Sequence, residues 1–260
     1  MLKPSVVSIG AGNVAAHLIP ALHEKKYPVP CVYSRTLKHA AELATKTGSQ
    51  YTDKYSEIPL SADIYLITLT DHAIGDVLKT LNGINGIAIH TSASTEMIIF
   101  SGKIKRFGVL YPLQTFSKAR KISLDDVPFL VEASDENTLK EISNIAGDIS
   151  SDIRQMSSEQ RQWLHLAAIF SCNFINHMLT CASDIMKEKQ MDMNLLTPLI
   201  RETINKALEN GPAKSQTGPA VRGNMGIINK HTSILKDHPD LQKMYTFVSQ
   251  CIYQYHKTLK

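Results

Sequence analysis

The sequence predicts two unlike halves, a doubly wound parallel sheet of the α/β class followed by an all-helical region, and three observations carry that expectation. From Val6 to Met156 short apolar runs alternate with amphipathic ones, the pattern of parallel strands joined by crossover helices. The first run, Val6-Val7-Ser8-Ile9, opens directly into Gly10-Ala11-Gly12-Asn13-Val14-Ala15 and then into a helical stretch. From Ser157 onward only helical periodicity remains. The expected organisation is a sheet domain over 1–156 and a helical domain over 157–260.

Each element has its own local reason. Helical spacing of apolar residues runs from Val14 to Leu22, 29–33 reads as a second strand, and 36–46 as a second helix. The stretch 63–69 is almost wholly apolar, which marks a strand covered on both faces. It leads into Thr70-Asp71-His72, where Asp71 is placed to cap a helix running through Leu78. Residues 86–90 repeat the plan and open into Thr91-Ser92-Ala93-Ser94. Further strands are expected at 106–111 and 127–132, a helix at 135–146, and a last strand near 149–156. The helical half divides into 158–189, 193–209, 217–235, with Pro219 in a first turn, and 240–257.

Composition excludes several classes of function. A chain of 260 residues with 43% hydrophobic content can fill two modest cores. Its net charge of +4 comes from 28 basic and 24 acidic residues with no basic block, so no nucleic-acid partner is expected. Gly10, Gly12 and Asn13 interrupt the apolar beginning, which therefore reads as strand and helix instead of a signal peptide. The apolar stretch from Leu164 to Met178 carries His165, Asn173, Asn176 and His177 and reads as too short and too polar for a bilayer, so no membrane partner is expected. Cys31, Cys172, Cys181 and Cys251 are scattered without C-x-x-C spacing, which predicts no metal site and reduced thiols in a cytoplasmic location.

The glycine turn has the G-x-G-x-x-A spacing of a dinucleotide (Rossmann) site. Gly10 permits the tight turn, Gly12 lets backbone approach a pyrophosphate, and Ala15 allows close helix packing. The helix that follows Asn13 and Val14 would aim its free N–H groups at the phosphates. After the second strand, Ser34-Arg35-Thr36 offers a guanidinium and two hydroxyls where NAD-binding chains place a carboxylate. That favours the 2′-phosphate of NADP, with a solvated arginine as the alternative. Thr68, Leu69 and Thr70 after one strand and His90, Thr91 and Ser92 after the next should flank the nicotinamide end. His90 reads either as a hydrogen-bonded structural residue or as a group near substrate. At about 3.6 residues per turn, His165, Asn173 and Asn176 share one sector of the first long helix. Buried polar groups need partners, which a ligand or a neighbouring helix would supply.

Several motifs together resemble a known family. Gly10-Ala-Gly12-Asn13-Val14-Ala15, the run Tyr111 to Ser117, Leu164-His165-Leu-Ala-Ala168 with Asn173-Phe-Ile-Asn176-His177, and the run Thr217 to Gly223 resemble bacterial Rossmann-like NADP oxidoreductases whose C-terminal half is a domain of unknown function. Their N-terminal halves are similar to pyrroline-5-carboxylate reductase and the deazaflavin-dependent NADP reductases. The resemblance covers nearly the whole chain and implies a helical second domain that mediates homodimerisation. Where the family has Asp after the Arg-Gly pair, this chain has Asn224. The wider 3-hydroxyacid dehydrogenases carry a lysine four residues before a helix asparagine, and here that place is Ile169. An imidazole titrates in general near about 6.5, so His165 is the candidate proton donor in its stead.

Two functions fit the sequence. The first is an NADP(H)-dependent oxidoreductase passing hydride between nicotinamide and a small C=N or C=O substrate in an interdomain cleft, with His165 as acid/base, Asn173 and Asn176 orienting the substrate, and His90 nearby. The second is an NADP(H)-binding sensor without turnover that signals through the helical half, motivated by the absent lysine.

Overall fold

The computed structural model describes residues 2–258. Among them eight strands form one sheet, β1 (Val6–Ile9), β2 (Cys31–Tyr33), β3 (Gln50–Thr52), β4 (Ile64–Ile67), β5 (Ile87–His90), β6 (Phe107–Pro112), β7 (Phe129–Ala133) and β8 (Ile153–Gln155). Their spatial order is β3-β2-β1-β4-β5-β6-β7-β8. The order reverses at β1, the place where a doubly wound sheet opens a crevice at its strand ends. All neighbours are parallel except β6 and β7, which are antiparallel with Leu110 opposite Val131. The sheet is thus mixed where a wholly parallel one was expected. β6 returns to β7 through a loop with no helix, and only a crossover helix would make the two parallel.

Alternation along the strands sorts side chains to two cores. Val6 and Val32 face one side, against Leu18 and Ile19 of α1 (Ala15–Glu24), Ala40 and Leu43 of α2 (Leu37–Thr45), and Ile142 of α4 (Glu136–Gly147). Val7, Ile9 and Tyr65 face the other, against Ile74 and Val77 of α3 (Asp71–Thr80). This two-sided burial explains the uninterrupted apolar run of β4. The short strand β3 went unread in the sequence, because Gln50 and Tyr51 are exposed and carry no apolar signal.

Helix ends differ in how they are held. Asp135 caps α4, accepting the Thr138 N–H at 2.9 Å and the Thr138 hydroxyl at 2.6 Å. Asp71 does not cap α3: it is that helix's first residue, and its carboxylate accepts the Ser92 hydroxyl instead. α5 (Ser158–Ala168) starts with a capping box between Ser157 and Gln160.

The chain divides into two compact units, Met1–Ile169 and Phe170–Lys260. α5, assigned by periodicity to the helical half, therefore packs with the sheet. The second unit holds α6 (Ile175–Glu188), α7 (Thr197–Asn210), the short α8 (Pro212–Ser215), α9 (Met225–Ile234) and α10 (Pro239–Thr258). α9 starts at Met225, later than Pro219 suggested, because Asn224 is its cap and accepts the Ile227 N–H at 3.2 Å. α9 and α10 are joined by a 2.8 Å bond between His231 and Tyr245 and by the Gln242 amide donating to the Thr232 carbonyl at 2.7 Å.

A segment of wider π-type turns, Ile169–Phe174, connects α5 to α6. With it, the helical run Ser158–Glu188 reaches 31 residues, long and apolar enough to cross a membrane by length and composition alone. The stretch Leu164–Met178, read as too short and too polar for a bilayer, is the middle of this longer run.

The Thr138 hydroxyl and N–H, followed by the Ser134 hydroxyl, hold the Asp135 carboxyl down at about 2. Because the folded value lies below the unfolded one, near about 3.9, the stabilisation is complete above pH 4 and disappears as pH falls towards 2. Asp135→Ala should therefore lower the thermal midpoint at neutral pH, with the gap to the parent chain closing between pH 4 and 2 in calorimetry.

Candidate functional site

The glycine turn sits at the C-terminal end of β1. Gly10 has φ +121°, and a Cβ there would lie 2.9 Å from the Thr68 carbonyl oxygen, so only glycine fits beside the end of β4. Its N–H donates to the Tyr33 carbonyl at 2.8 Å. At Gly12 the added Cβ would meet only the Thr68 carbonyl oxygen, 4.0 Å away. Backbone there faces open space of the kind a pyrophosphate needs. No side chain caps α1 and its first turn has no carboxylate, so the positive helix end is neither filled nor neutralised. Ala15 is fully buried and Val14 packs at the edge of the core. These features fit a dinucleotide phosphate.

Ser34, Arg35 and Thr36 follow β2. Ser34 is buried, Arg35 and Thr36 are exposed, and Thr36 begins α2 with no side-chain cap. A carboxylate that sequence reading missed lies close by. Asp53, just past β3, acts electrostatically on Tyr33 in the opposite sense to Arg35. Its signal was hidden with β3 itself.

Thr68, Leu69 and Thr70 form the β4 exit. Thr68 donates its N–H to the Ile9 carbonyl at 2.8 Å, Leu69 packs against the second core, and Thr70 is exposed with its hydroxyl 3.3 Å from His72. At the β5 exit His90, Thr91 and Ser92 are all buried. His90 Nδ1 accepts the Ser92 N–H at 3.1 Å, so the ring proton sits on Nε2, which has no partner among the described residues. Its ring stacks 5.6 Å from Phe100. Burial, helped by the Arg161 charge, pushes the imidazole down to about 3, so His90 is neutral.

Ser92 is the hub of a polar network. Its hydroxyl donates to Asp71 at 2.6 Å and accepts the N–H groups of Ser94 and Thr95. Burial raises the Asp71 carboxyl, but hydrogen bonds from Ser92, Ser94 and Thr95 outweigh it and hold the group below its ordinary value. The Thr95 carbonyl accepts from Arg161 Nη2 at 2.7 Å, while Nη1 pairs with Glu132 at 2.7 Å. Arg161 is buried completely and also reaches the Ser158 hydroxyl. Sequence reading missed this arginine. Only its being the one Lys or Arg of its helix marked it, and its partner Glu132 stands in another element, β7.

His165, one turn after Arg161 on α5, is half-buried, with Nδ1 3.4 Å from the Tyr111 hydroxyl and the two rings edge to face. Asn173 lies in the π segment and Asn176 in α6, and both are exposed. A count at 3.6 residues per turn does not carry across π-type turns. The single sector drawn through His165, Asn173 and Asn176 is thereby corrected, as is the premise that these amides are buried within one chain.

Residues 5–93 match the model of the family described as NADP oxidoreductase, coenzyme F420-dependent, and residues 127–252 match a domain of unknown function, DUF2520. A crystal structure from Bacteroides fragilis, classed as an NADP oxidoreductase, is 37% identical, with 97% of this chain and 98% of that one covered and a TM-score of 0.92. This chain belongs to that family. It is a Rossmann-fold, nicotinamide-nucleotide-linked oxidoreductase with a C-terminal helical domain, so the expectation of an enzyme holds over that of a passive sensor. A Thermotoga maritima protein is 20% identical at a TM-score of 0.69, covering 97% of this chain and 98% of that one. An imine reductase from Myxococcus stipitatus in complex with NADP+ is 15% identical at 0.65, covering 98% and 93%. These two likenesses speak to the fold. No functionally curated protein matches the chain in sequence.

Two outcomes follow for the buried network. Because His90 titrates lower folded than unfolded, the unfolded chain alone takes up that proton between about pH 6.5 and 3. The folding stability should fall across that window in urea titrations, and His90→Asn should lack this part of the fall. Arg161→Met leaves Glu132 without its cation, and loss of one member of a buried pair costs about 3–5 kcal/mol, which chemical denaturation of the parent and variant would register.

Proposed function

We propose that the protein is an NADP(H)-dependent oxidoreductase acting on a small molecule with a C=N or C=O group. The supporting observation is the open backbone at Gly12 under an uncapped α1, joined to the exposed Arg35 at the end of β2. In this reading the first turn of α1 (Asn13 to Ala15) receives the pyrophosphate, while Arg35, with Ser34 and Thr36, receives the 2′-phosphate in two parallel charge-assisted bonds. Asp53 sharpens the demand on Arg35, because the guanidinium must outweigh a neighbouring carboxylate. Thr68 to Thr70 and Thr91 to Ser92, the exits of β4 and β5, border the nicotinamide end, a position parallel strand ends give to ligands. The bound nicotinamide supplies the hydride. His165 supplies or accepts the proton, with Tyr111 holding the ring by its hydroxyl. Asn173 and Asn176 are exposed, and in this reading their amides are available to orient a substrate. Full burial and a neutral ring suit His90 to holding the Ser92 turn better than to proton transfer.

We further propose that the helical unit is completed by a second copy of the chain. Among its described large apolar side chains only Met186 and Ile228 are buried, whereas Phe170, Leu199, Leu208 and Phe247 are each more than 60% exposed. Large apolar side chains exposed in this number on one helical unit are the kind of surface that a partner covers.

Arg35→Ala should weaken NADPH binding by about tenfold or more, the loss of one charge-assisted phosphate contact, and leave NADH nearly unchanged in fluorescence titration. Equal affinity of the parent chain for both nucleotides would refute the 2′-phosphate assignment. With an imine or ketone acceptor in hand, His165→Ala should lower turnover by about 10²–10⁴-fold at unchanged cofactor affinity. Light scattering at micromolar concentration should give twice the 28.8 kDa chain mass, and Phe247→Glu should shift it towards the monomer; a monomeric parent chain would count against the pairing.

A further inference from the structure

The sheet unit has a second groove, along the outer flank of α1 beyond the glycine turn, and we propose that it binds a nucleoside polyphosphate distinct from the nicotinamide cofactor. The groove encloses about 780 Å³, the size of a site for a nucleotide-sized molecule. Five cations line it: Lys25 at the end of α1, Lys46 after α2, and Lys118, Arg120 and Lys121 from the loop between β6 and β7. Among the described residues none of the five lies within 4 Å of a carboxylate. Lys25 acts at longer range on Asp148, which Lys3 and Tyr27 already hold. Of the two carboxylates in the groove, Glu24 and Asp125, the second accepts the Ser123 hydroxyl at 2.7 Å.

The basic wall is fixed in place. His17 on α1 spans two carbonyls, with Nδ1 2.9 Å from the Asn13 oxygen and Nε2 3.0 Å from the Arg120 oxygen, and its ring packs 4.9 Å from Phe116. At the other end of the loop the Asp125 carbonyl accepts the Ser151 N–H at 2.8 Å and the Ser151 hydroxyl at 2.9 Å. Anchoring at both ends holds Lys118, Arg120 and Lys121 on one wall, where their mutual repulsion is relieved by a multivalent anion.

The floor accounts for the nucleoside part. Ala21, Pro20 and Ile122 belong to the same lining as the cations and offer an apolar surface suited to a flat base. Pro20 lies inside α1 and has no N–H, so the Ala16 carbonyl beside it lacks the helical donor it would otherwise have. That oxygen is an acceptor for an exocyclic amine or a ribose hydroxyl. The phosphate chain is assigned to the cations and the base to the floor.

The test is calorimetric titration of ATP, tripolyphosphate and adenosine into the full chain saturated with NADP+, and into a variant combining Lys118→Ala, Arg120→Ala and Lys121→Ala. ATP should bind more tightly than tripolyphosphate, adenosine should bind weakest, and added salt should weaken ATP. The triple variant should lose about tenfold or more in ATP affinity with its circular dichroism and NADP+ affinity unchanged. ATP binding that is absent at millimolar concentration, or equal in the triple variant, overturns the proposal; tripolyphosphate binding as well as ATP overturns the nucleoside assignment. Because the three substitutions lie outside the glycine turn, their effect locates ATP in this groove even if NADP+ does not bind.

Discussion

The approach of Gly10 to Thr68 is the constraint on which the nucleotide half depends. β1 lies between β2 and β4, and its chain must leave the sheet over the end of β4 in the space of one residue. Any side chain at Gly10 would collide with the Thr68 backbone, and the turn would have to lift. α1 would then lose its seat, because Ala15, Leu18 and Ile19 are fully buried against the sheet only while the turn stays low. The same low turn leaves α1 uncapped and the backbone at Gly12 open. Thus a requirement of packing also creates the feature that attracts phosphate.

The neighbouring strand ends are held by a different principle. Around β5 the chain buries an arginine, a histidine and several hydroxyls, groups that cost free energy wherever they lack partners. Most of them are paired in sequence, Asp71 to Ser92, Ser92 to Thr95, Thr95 to Arg161 and Arg161 to Glu132, so that three strand ends and α5 are fixed to one another, while His90 Nε2 and Arg161 Nε have no partner among the described residues. His165 follows Arg161 by one helical turn, and its position relative to Tyr111 on β6 is inherited from that anchor. Catalytic geometry in this reading rests on a buried ion pair more than on the histidine's own contacts.

The sheet was legible because its strands are buried on both faces and its glycine turn carries a local steric rule. What escaped were features without a local signal. β3 presents exposed polar residues, the antiparallel step at β7 follows from a loop that contains no helix, and Arg161 pairs with a strand far away in sequence. The residues Gly10 to Ala15 could be assigned a place from spacing alone. His165, Asn173 and Asn176 could not, because a uniform helical count runs through π-type turns that no residue between Ile169 and Phe174 announces.

Those turns bear on why the second unit is so apolar outside. Along 170–178 every residue is exposed, phenylalanines and asparagines alike, although the Phe170 and Phe174 rings meet edge to face at 4.9 Å. Exposed apolar surface of this extent is unfavourable in water by about 25 cal/mol per Å². The amides of Asn173 and Asn176, by contrast, lose nothing in water and need partners only once that surface is covered. A cover made of apolar side chains alone would leave those amides unsatisfied, and one made of polar groups alone would leave the phenylalanines wet. Under the proposed pairing of two copies, the partner surface would have to match both, apolar over Phe170 and Phe174 and hydrogen-bonding over the asparagines.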